Sequence, residues 1–301
     1  MKVIIAHGGV ETPMTGRYLE ILEIAVRQGY ALLDQSPLNA AEAGIKVLED
    51  SPLFNAGYGS VLNAAGEVEM DAAICDGKTG RFGAVGALKN VANPISVARK
   101  VLEETNHVLL VGSGAETFAR SKGFPMADCI TKEMRHNWEQ AIKSDPAVNS
   151  ESLSLLTALP RGTLHAYDTV GCLVCDDGHL VAASSTGGSF LKLPGRIGDT
   201  PILGGGILAA EWGAVVCTGI GEAFIETMTA SYVLQLLEAG ITPQEAAEKA
   251  IHRLALKRSL PGGLIVLNKE GLYGAAYNTY SFPVAVMVNG AIVKEFRPVQ
   301  K

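Results

Sequence analysis

Apolar residues recur every three to four positions in six stretches of the chain, which is the spacing of helices with one buried side. In the first stretch this side includes Leu19, Leu22 and Val26. The last stretch follows Thr242-Pro243-Gln244-Glu245, which combines an N-cap, a proline at the first helical position and a capping-box glutamate. The predicted helices span residues 18–30, 39–49, 94–105, 115–122, 221–239 and 243–256.

Runs rich in β-forming residues, joined by short turn sequences, predict hairpins along the rest of the chain. Several of these runs are apolar at consecutive positions, as in residues 263–267, so we expect both of their faces to be buried. Strands do not alternate with helices, which disfavours a doubly wound parallel sheet. The pattern predicts an α+β fold of two stacked antiparallel sheets with helices outside. The expected pairs are 58–62 with 67–75, 67–75 with 81–88, 169–175 with 179–185, 263–268 with 272–277 and 284–288 with 291–296.

Composition narrows the class of protein. The 301 residues are 48% hydrophobic and 19% charged, enough for a large core in one or two domains. The net charge is −6 and no basic cluster of five or more residues is present, which disfavours nucleic-acid and polybasic membrane binding. No apolar run reaches the ~18 residues of a membrane span, and the apolar run at the N-terminus is too short for a secretory signal. Five scattered cysteines indicate reduced thiols in a cytoplasmic protein.

The dipeptide Asp168-Thr169 carries the most specific chemistry. Thr169 opens a β-branched run just past the middle of the chain. If the bond before it is cut, its hydroxyl lies beside its own α-amine, whose pKa is roughly 7.7–8.0. A threonine activated by its terminal amine is a recognised nucleophile. The hypothesis is therefore a hydrolase that cleaves itself, although a threonine at a strand start is most often structural.

The segment 135–165, which ends just before this dipeptide, is polar and rich in turn-forming residues. Its composition predicts a linker. A mobile linker would let the new chain ends separate after a cut, and a plain surface loop between two halves fits the composition equally well.

Three polar clusters bounded by glycines follow Thr169. Hairpin pairing brings Thr186 close to Thr169, where its hydroxyl is placed to orient the nucleophile. Arg196 and Asp199 suit the carboxylate and amine of an amino acid, although such a pair is more often a surface ion pair. Thr218 and the glycine after it stand where a strand meets a helix, either as an oxyanion hole or as a simple turn. The clusters read Ser184-Ser185-Thr186-Gly187-Gly188, Gly195-Arg196-Ile197-Gly198-Asp199-Thr200 and Cys217-Thr218-Gly219-Ile220-Gly221-Glu222.

Together these clusters resemble the threonine-dependent type 2 asparaginases, also called isoaspartyl peptidases, among the N-terminal-nucleophile hydrolases. The resemblance extends to His7-Gly8-Gly9, to Phe54-Asn55-Ala56-Gly57-Tyr58-Gly59 and to Met70-Asp71-Ala72. It implies a single four-layer αββα domain, cut between Asp168 and Thr169 into an α chain (1–168) and a β chain (169–301), and an (αβ)2 assembly. It also implies hydrolysis of the side-chain amide of L-asparagine and of β-aspartyl dipeptides.

The same resemblance implies roles for individual residues. Thr169 would be the nucleophile with Thr186 in support, and Asn55 would lie near the scissile bond. Arg196 and Asp199 would hold the α-carboxylate and α-amine of the substrate. Thr218 and Gly219 would form the oxyanion hole, and Gly221 would contact the substrate. A structural Na⁺ would be held, mainly by backbone carbonyls, in a loop that includes Leu48, Glu49, Ser51, Phe54, Ala56 and Tyr58; the chemistry itself would require no cofactor.

The residue before the nucleophile leaves the subfamily open. Many asparaginases carry glycine there, whereas Asp168 resembles glycosylasparaginases and taspases. Two alternatives to the asparaginase function therefore remain: a glycosylasparaginase-like amidase, and an uncleaved, inactive relative that acts as a binding protein.

Two further patterns are discounted. Cys172 and Cys175 match C-x-x-C, but positions three apart on a strand point to opposite faces, which disfavours a metal or redox site. Residues 111–117 resemble a dinucleotide-binding loop without its third glycine, and they predict a tight turn between a strand and a helix.

Overall fold

Four layers, in the order helices, sheet, sheet, helices, make up the protein. The structure is a computed structural model that describes residues 1–144, 169–258 and 260–301. Its helices are α1 (Arg17–Ala31), α2 (Pro37–Glu49), α3 (Pro94–Glu104), α4 (Gly112–Ser121), α5 (Lys132–Ser144), α6 (Gly221–Thr227), α7 (Thr229–Glu238) and α8 (Pro243–Arg258). Its strands are β1 (Lys2–His7), β2 (Met70–Asp76), β3 (Arg81–Leu88), β4 (Leu109–Val111), β5 (Val170–Asp176), β6 (His179–Thr186), β7 (Ile207–Ala209), β8 (Gly213–Gly219), β9 (Gly262–Asn268), β10 (Tyr273–Tyr277), β11 (Val284–Val288), β12 (Ala291–Ile292) and β13 (Val299–Gln300).

The larger sheet has eight strands in the order β12-β11-β1-β5-β6-β2-β3-β4. Helices α1 to α4 pack on its outer face. The smaller sheet has five strands in the order β13-β10-β9-β8-β7, and its outer face is covered by α6, α7 and α8. The predicted α+β sandwich is confirmed. One pair in each sheet, β3 with β4 and β10 with β13, is parallel, so the sheets are mixed rather than purely antiparallel.

Alternating side chains place each strand in two cores at once. On β1, Ile4 packs in the core under α1 to α4, whereas Ile5 packs in the core between the sheets. The same alternation sends Cys172 to the helix side and Cys175 to the intersheet side, as the spacing predicted. All five cysteines lie in the described residues, and all five are buried and unpaired.

Local sequence signals account for several of the boundaries. Ser36 caps α2 by accepting a hydrogen bond from the amide of Leu38 (3.2 Å). The predicted capping box of α8 is present, because Thr242 Oγ1 accepts from the amide of Glu245 (3.3 Å) and the Glu245 carboxylate accepts from the amide of Thr242 (3.4 Å).

Two-residue turns close two of the predicted hairpins. Asp177 and Gly178, between β5 and β6, have φ values of 46° and 90°. Asn289 and Gly290, between β11 and β12, have φ values of 45° and 86°. Positive φ at both positions is the type I′ geometry that matches the twist of a hairpin.

Three sequence predictions are corrected by the structure. Residues 58–62 do not form a strand; a short 3-10 helix, Gly57–Gly59, stands there, and the amide of Val61 is taken by the Asn55 side chain. The second strand of the last hairpin ends at Ile292 rather than at residue 296. The expected helix 221–239 is broken at Met228 (φ 48°), because the first amides of α7 turn to the carbonyls of Gly204 and Gly205.

The expected linker 135–165 overlaps α5, so its first ten residues are helical, and residues 145–165 lie outside the described residues. The predicted turn between a strand and a helix at residues 111–117 is present as the junction of β4 and α4. Within the described ranges, no helix is both long and apolar enough to cross a membrane.

Candidate active site

Three threonines from two sheets meet at one end of the intersheet layer. Thr169 directly precedes β5, Thr186 ends β6 and Thr218 stands one residue before the end of β8. Val170 pairs with Ser185, so Thr169 and Thr186 occupy the next position of the same ladder. Strand alternation places all three side chains toward the space between the sheets. All three are buried, with relative exposures of 6%, 4% and 0%.

A small pocket opens beside Thr169. Six residues predicted from the sequence line it, namely Thr169, Thr186, Arg196, Asp199, Gly219 and Gly221, together with Gly188, Ser189 and Gly198. Thr218 and Asn55 are not among the lining residues. The structure therefore brings together side chains that lie up to about fifty residues apart in the sequence, and it supports one site rather than scattered turns.

Arg196 is the cation of this pocket, and its partner is Glu222. Nε and Nη2 of Arg196 donate to the two carboxylate oxygens of Glu222 at 2.8 and 2.7 Å. This is a bidentate pair in which Nη1 takes no part. Burial alone would raise the pKa of Glu222, but the hydrogen bonds and charge of Arg196 outweigh it and lower that pKa. The role of Glu222 was missed in the sequence, where it reads only as the second residue of a predicted helix.

Asp199 is the acid of the pocket. It is 3% exposed, and burial raises the pKa of its carboxyl to about 7 against the opposing charge of Arg196. Its Oδ2 has no hydrogen-bond partner among the described residues. A buried oxygen without a partner costs free energy, and a donor that enters the pocket would offset this cost.

Gly219, which follows Thr218 at the end of β8, lines the same pocket as Asp199 and Arg196. Gly219 has φ 132°, a value that L side chains rarely adopt. Gly221 begins α6, and a Cβ placed on it would lie 2.9 Å from Asp199 Oδ1 and 3.0 Å from Arg196 Nη2. Only glycine leaves room for those two groups at the pocket wall.

Asn55 supports the pocket from behind. Its Nδ2 donates to the carbonyl of Gly188 (2.7 Å), and its backbone carbonyl accepts from the amide of Gly187 (2.9 Å). Thr186 Oγ1 accepts from the amide of Gly188 (3.0 Å). Asn55 therefore fixes the turn that follows Thr186.

His7 lies on the strand beside Thr169. It ends β1 and pairs with Gly171, two residues past Thr169. Burial lowers the pKa of His7 to about 3, and its Nδ1 accepts from the amide of Gly9 (3.2 Å). The ring is therefore neutral.

The loop 48–58 runs from the end of α2 to the short 3-10 helix. The carbonyls of Leu48, Phe54 and Ala56 each accept one backbone amide, and a carbonyl keeps a second lone pair. The Glu49 carboxylate is engaged elsewhere, with the Ser185 hydroxyl (2.7 Å) and the amide of Ile95 (3.0 Å). Oxygen donors of this kind fit a hard cation held by main-chain atoms.

Asp168, the predicted residue before the cut, lies outside the described residues. The pocket, the three threonines and the four layers all consist of described residues. The four-layer αββα order, with a pocket beside Thr169, is the architecture that the resemblance to the N-terminal-nucleophile hydrolases implies.

The chain belongs to the asparaginase family, whose model, described as "Asparaginase", matches residues 1–295. It is 44% identical to the plant-type L-asparaginase of Pyrococcus furiosus over 96% of this chain and 97% of that protein. It is 38% identical to the isoaspartyl peptidase/L-asparaginase of Mus musculus over 96% of this chain and 89% of that protein. The corresponding protein of Xenopus laevis is 37% identical over 92% of this chain and 89% of its own length.

Proposed function

We propose that this protein hydrolyses the side-chain amide of L-asparagine and of β-aspartyl dipeptides, with Thr169 as an N-terminal nucleophile. The observation that carries the proposal is the pocket itself, in which Thr169 lies with the Arg196 and Asp199 pair. Relatives named L-asparaginase and isoaspartyl peptidase/L-asparaginase support the choice of substrate.

Self-cleavage comes first in the proposal. The hydroxyl oxygen of Thr169 attacks the carbonyl carbon of Asp168, and the peptide nitrogen leaves that carbon as the new α-amine. The Asp168 acyl group is then an ester on Thr169, which water hydrolyses. The products are a chain ending in Asp168 and a chain beginning with Thr169, whose amine has a pKa near the pH at which a general base works best.

In turnover, the α-amine of Thr169 takes the hydroxyl proton as the oxygen attacks the side-chain amide of the substrate. Negative charge then develops on the amide oxygen, where Thr218 and Gly219 are proposed to stabilise it. The tetrahedral intermediate collapses and releases ammonia or an amino acid. Water next cleaves the aspartyl ester and returns free Thr169.

The pocket residues suit the amino-acid end of such a substrate. Glu222 takes one edge of the Arg196 guanidinium, so the edge that includes Nη1 is proposed to hold the α-carboxylate by two parallel hydrogen bonds. Asp199 Oδ2 is proposed to accept from the α-ammonium, and this bond satisfies the buried oxygen. Thr186 is proposed to orient Thr169.

Replacing Thr169 tests the proposal. We expect Thr169→Ala to remain a single chain of 31.6 kDa on a denaturing gel and to be inactive on L-asparagine and on β-aspartyl dipeptides. The exposed Thr117 of α4 offers a matched control, and Thr117→Ala should be cut and active. A cut or active Thr169→Ala protein would refute the nucleophile. An uncut, inactive wild type would instead favour a binding protein.

The proposal also includes the cellular compartment and the assembly of the protein. The unpaired state of all five cysteines supports a reducing compartment such as the cytoplasm. The assembly is proposed to be (αβ)2, and light scattering on the purified protein gives its mass. A mass of one αβ unit would contradict this assembly.

A structural Na⁺ is proposed in the loop 48–58. Leu48, Glu49, Ser51, Phe54, Ala56 and Tyr58 would contribute oxygens, with main-chain carbonyls as the main donors. We expect replacement of Na⁺ in the buffer by the larger tetramethylammonium ion to lower the melting temperature, while equal ionic strength controls for screening. An unchanged melting temperature would contradict a Na⁺ site.

A further inference from the structure

The loop that carries Arg196 and Asp199 is held by two buried carboxylates at the start of β2, Glu69 directly before the strand and Asp71 on it. The amide of Gly195 donates to Glu69 Oε2 (2.8 Å), and the amide of Gly198 donates to Asp71 Oδ2 (3.0 Å). Glu69 is 4% exposed and Asp71 is fully buried. The two bonds lie on either side of Arg196, so the backbone of the loop is fixed at both of its ends.

The strand is distorted where it supplies Asp71. The ladder between β2 and β3 shifts register between Met70 and Ala72, and the facing Ala87 has φ 47°. Left-handed backbone is unfavourable for alanine. Asp71 Oδ1 accepts from the amide of this Ala87 (2.9 Å). Bulges of this kind re-aim a side chain near a functional site, and here the re-aimed side chain is Asp71.

Asp71 does not reach the substrate. Each of its two oxygens accepts a backbone amide, and it is not among the residues that line the pocket. On its other side it pairs with Thr186 through β6. Its negative charge, next to the pocket, also helps to raise the pKa values of Arg196 and Asp199. It therefore acts on substrate binding only through the loop and through its charge.

We infer that Asp71, together with Glu69, is a positioning residue that sets substrate affinity by fixing the loop from Gly195 to Asp199. This inference rests on the proposed function, in which that loop holds the α-carboxylate and the α-amine. Asp71 has to be a carboxylate because both of its partners, the amides of Ala87 and Gly198, are hydrogen-bond donors. In Asp71→Asn the amide nitrogen faces one of the two backbone N–H groups, so the hydrogen bond to Gly198 of the loop or the one to Ala87, which holds Asp71 in place, is lost.

The inference is tested by the kinetics of Asp71→Asn on L-asparagine. We expect KM to rise at least about tenfold, the effect of losing one hydrogen bond to a charged group, while kcat changes far less. The lower-pH limb of kcat/KM should also move slightly to lower pH, because burial is the main cause of the raised pKa of Asp199 and the charge of Asp71, which adds to it, is gone. Self-cleavage should still occur.

Asp76 is the matched control on the same strand. It is 5% exposed and hydrogen-bonds to Thr79 (2.7 Å) and His179 (2.7 Å), away from the pocket. Asp76→Asn should keep the wild-type KM and pH profile. A purely structural role for Asp71 would lower stability in both variants and leave both profiles alike, and that result would overturn the inference.

Glu69 provides a second test that does not depend on the folding of Asp71→Asn. In Glu69→Gln the side-chain carbonyl still accepts from the amide of Gly195, whereas Glu69→Ala loses this bond. We expect Glu69→Ala to raise KM and Glu69→Gln to keep KM close to the wild-type value. Equal KM values for the two variants would overturn the inference. Wild-type protein that is cut but inactive on L-asparagine and β-aspartyl dipeptides would overturn the proposed function first, and the inference with it.

Discussion

Glu222 grips Arg196 along one edge of the guanidinium, through Nε and Nη2, and leaves Nη1 out of the pair. A carboxylate in this position has two opposite consequences. It fixes the direction in which the rest of the fork points, and it offers a charge that resembles the α-carboxylate of a substrate. Because the pair uses only one edge, we interpret Glu222 as an orienting group rather than a competitor.

Removing the charge of Glu222 separates these two interpretations. Gln keeps one acceptor for Nε but turns its amide nitrogen toward Nη2. We therefore expect Glu222→Gln to raise KM for L-asparagine about tenfold, which corresponds to about 1.4 kcal/mol, with self-cleavage intact. Steady-state kinetics of this variant measure the effect, with Glu238→Gln, at an exposed position, as the control. A lower KM would show that Glu222 competes with the substrate.

The pKa of Asp199 predicts a pH dependence of substrate binding. Burial raises this pKa to about 7, and the charged form is needed to hold an ammonium group. In the free enzyme, kcat/KM should therefore rise with pH through about 7, and it should fall as the carboxyl becomes protonated below that value. The pH profile of kcat should begin at lower pH, since a bound ammonium lowers the pKa. Identical profiles for the two parameters would contradict this role.

The same pKa predicts a cost in stability. The carboxyl of Asp199 is protonated in the folded protein up to about pH 7, whereas in the unfolded chain its pKa is the ordinary 3.8 of an aspartate. Between these values the folded state binds more protons, so the free energy of unfolding falls as pH rises. We expect Asp199→Asn to melt higher than the wild type at pH 8 and close to it at pH 4. Calorimetry at the two pH values decides, and a lower melting temperature at pH 8 would contradict the prediction.

Asn55 should matter for stability as well as for the site. Asn55→Ala removes the donor to the carbonyl of Gly188 and the acceptor for the amide of Val61. Leaving two buried backbone groups unpaired costs about 2–6 kcal/mol in total. Denaturant unfolding measures the loss, and a gel shows whether self-cleavage slows. Asn39→Ala on α2, whose single side-chain bond is exposed, should cost far less.

Local sequence signals predicted most of the fold. Turns such as Asn289-Gly290 and the capping box at Thr242 depend on a few consecutive residues, and these signals placed their elements correctly. The prediction failed at residues 58–62. There the amide of Val61 donates to the side chain of Asn55, and the carbonyl of Leu62 accepts from the amide of Leu191, so neither group takes part in the expected strand pairing. The β-forming composition of a segment does not reveal such partners.

The residues of the candidate site also fall into those that local sequence signals identify and those that they miss. Thr169, Arg196 and Asp199 stand in polar clusters between glycines, and the sequence singled them out. Glu222 and Asp71 were given no role, since their importance depends on which backbone or side chain lies opposite them. Glu222 lies 26 positions after Arg196, and Asp71 lies 127 positions before Gly198. Only the folded chain brings these residues together.

The strand order has a consequence for the fate of the two proposed chains. β1 belongs to the chain before Thr169, yet it lies between β11 and β5, which both come after it. The ladder between β2 and β6 likewise joins the two products, so drawing one away from the other would break three ladders of a buried sheet. We expect the fragments to co-purify through an affinity tag on either terminus and to part only in denaturant, so that a cut peptide bond leaves one interlocked body.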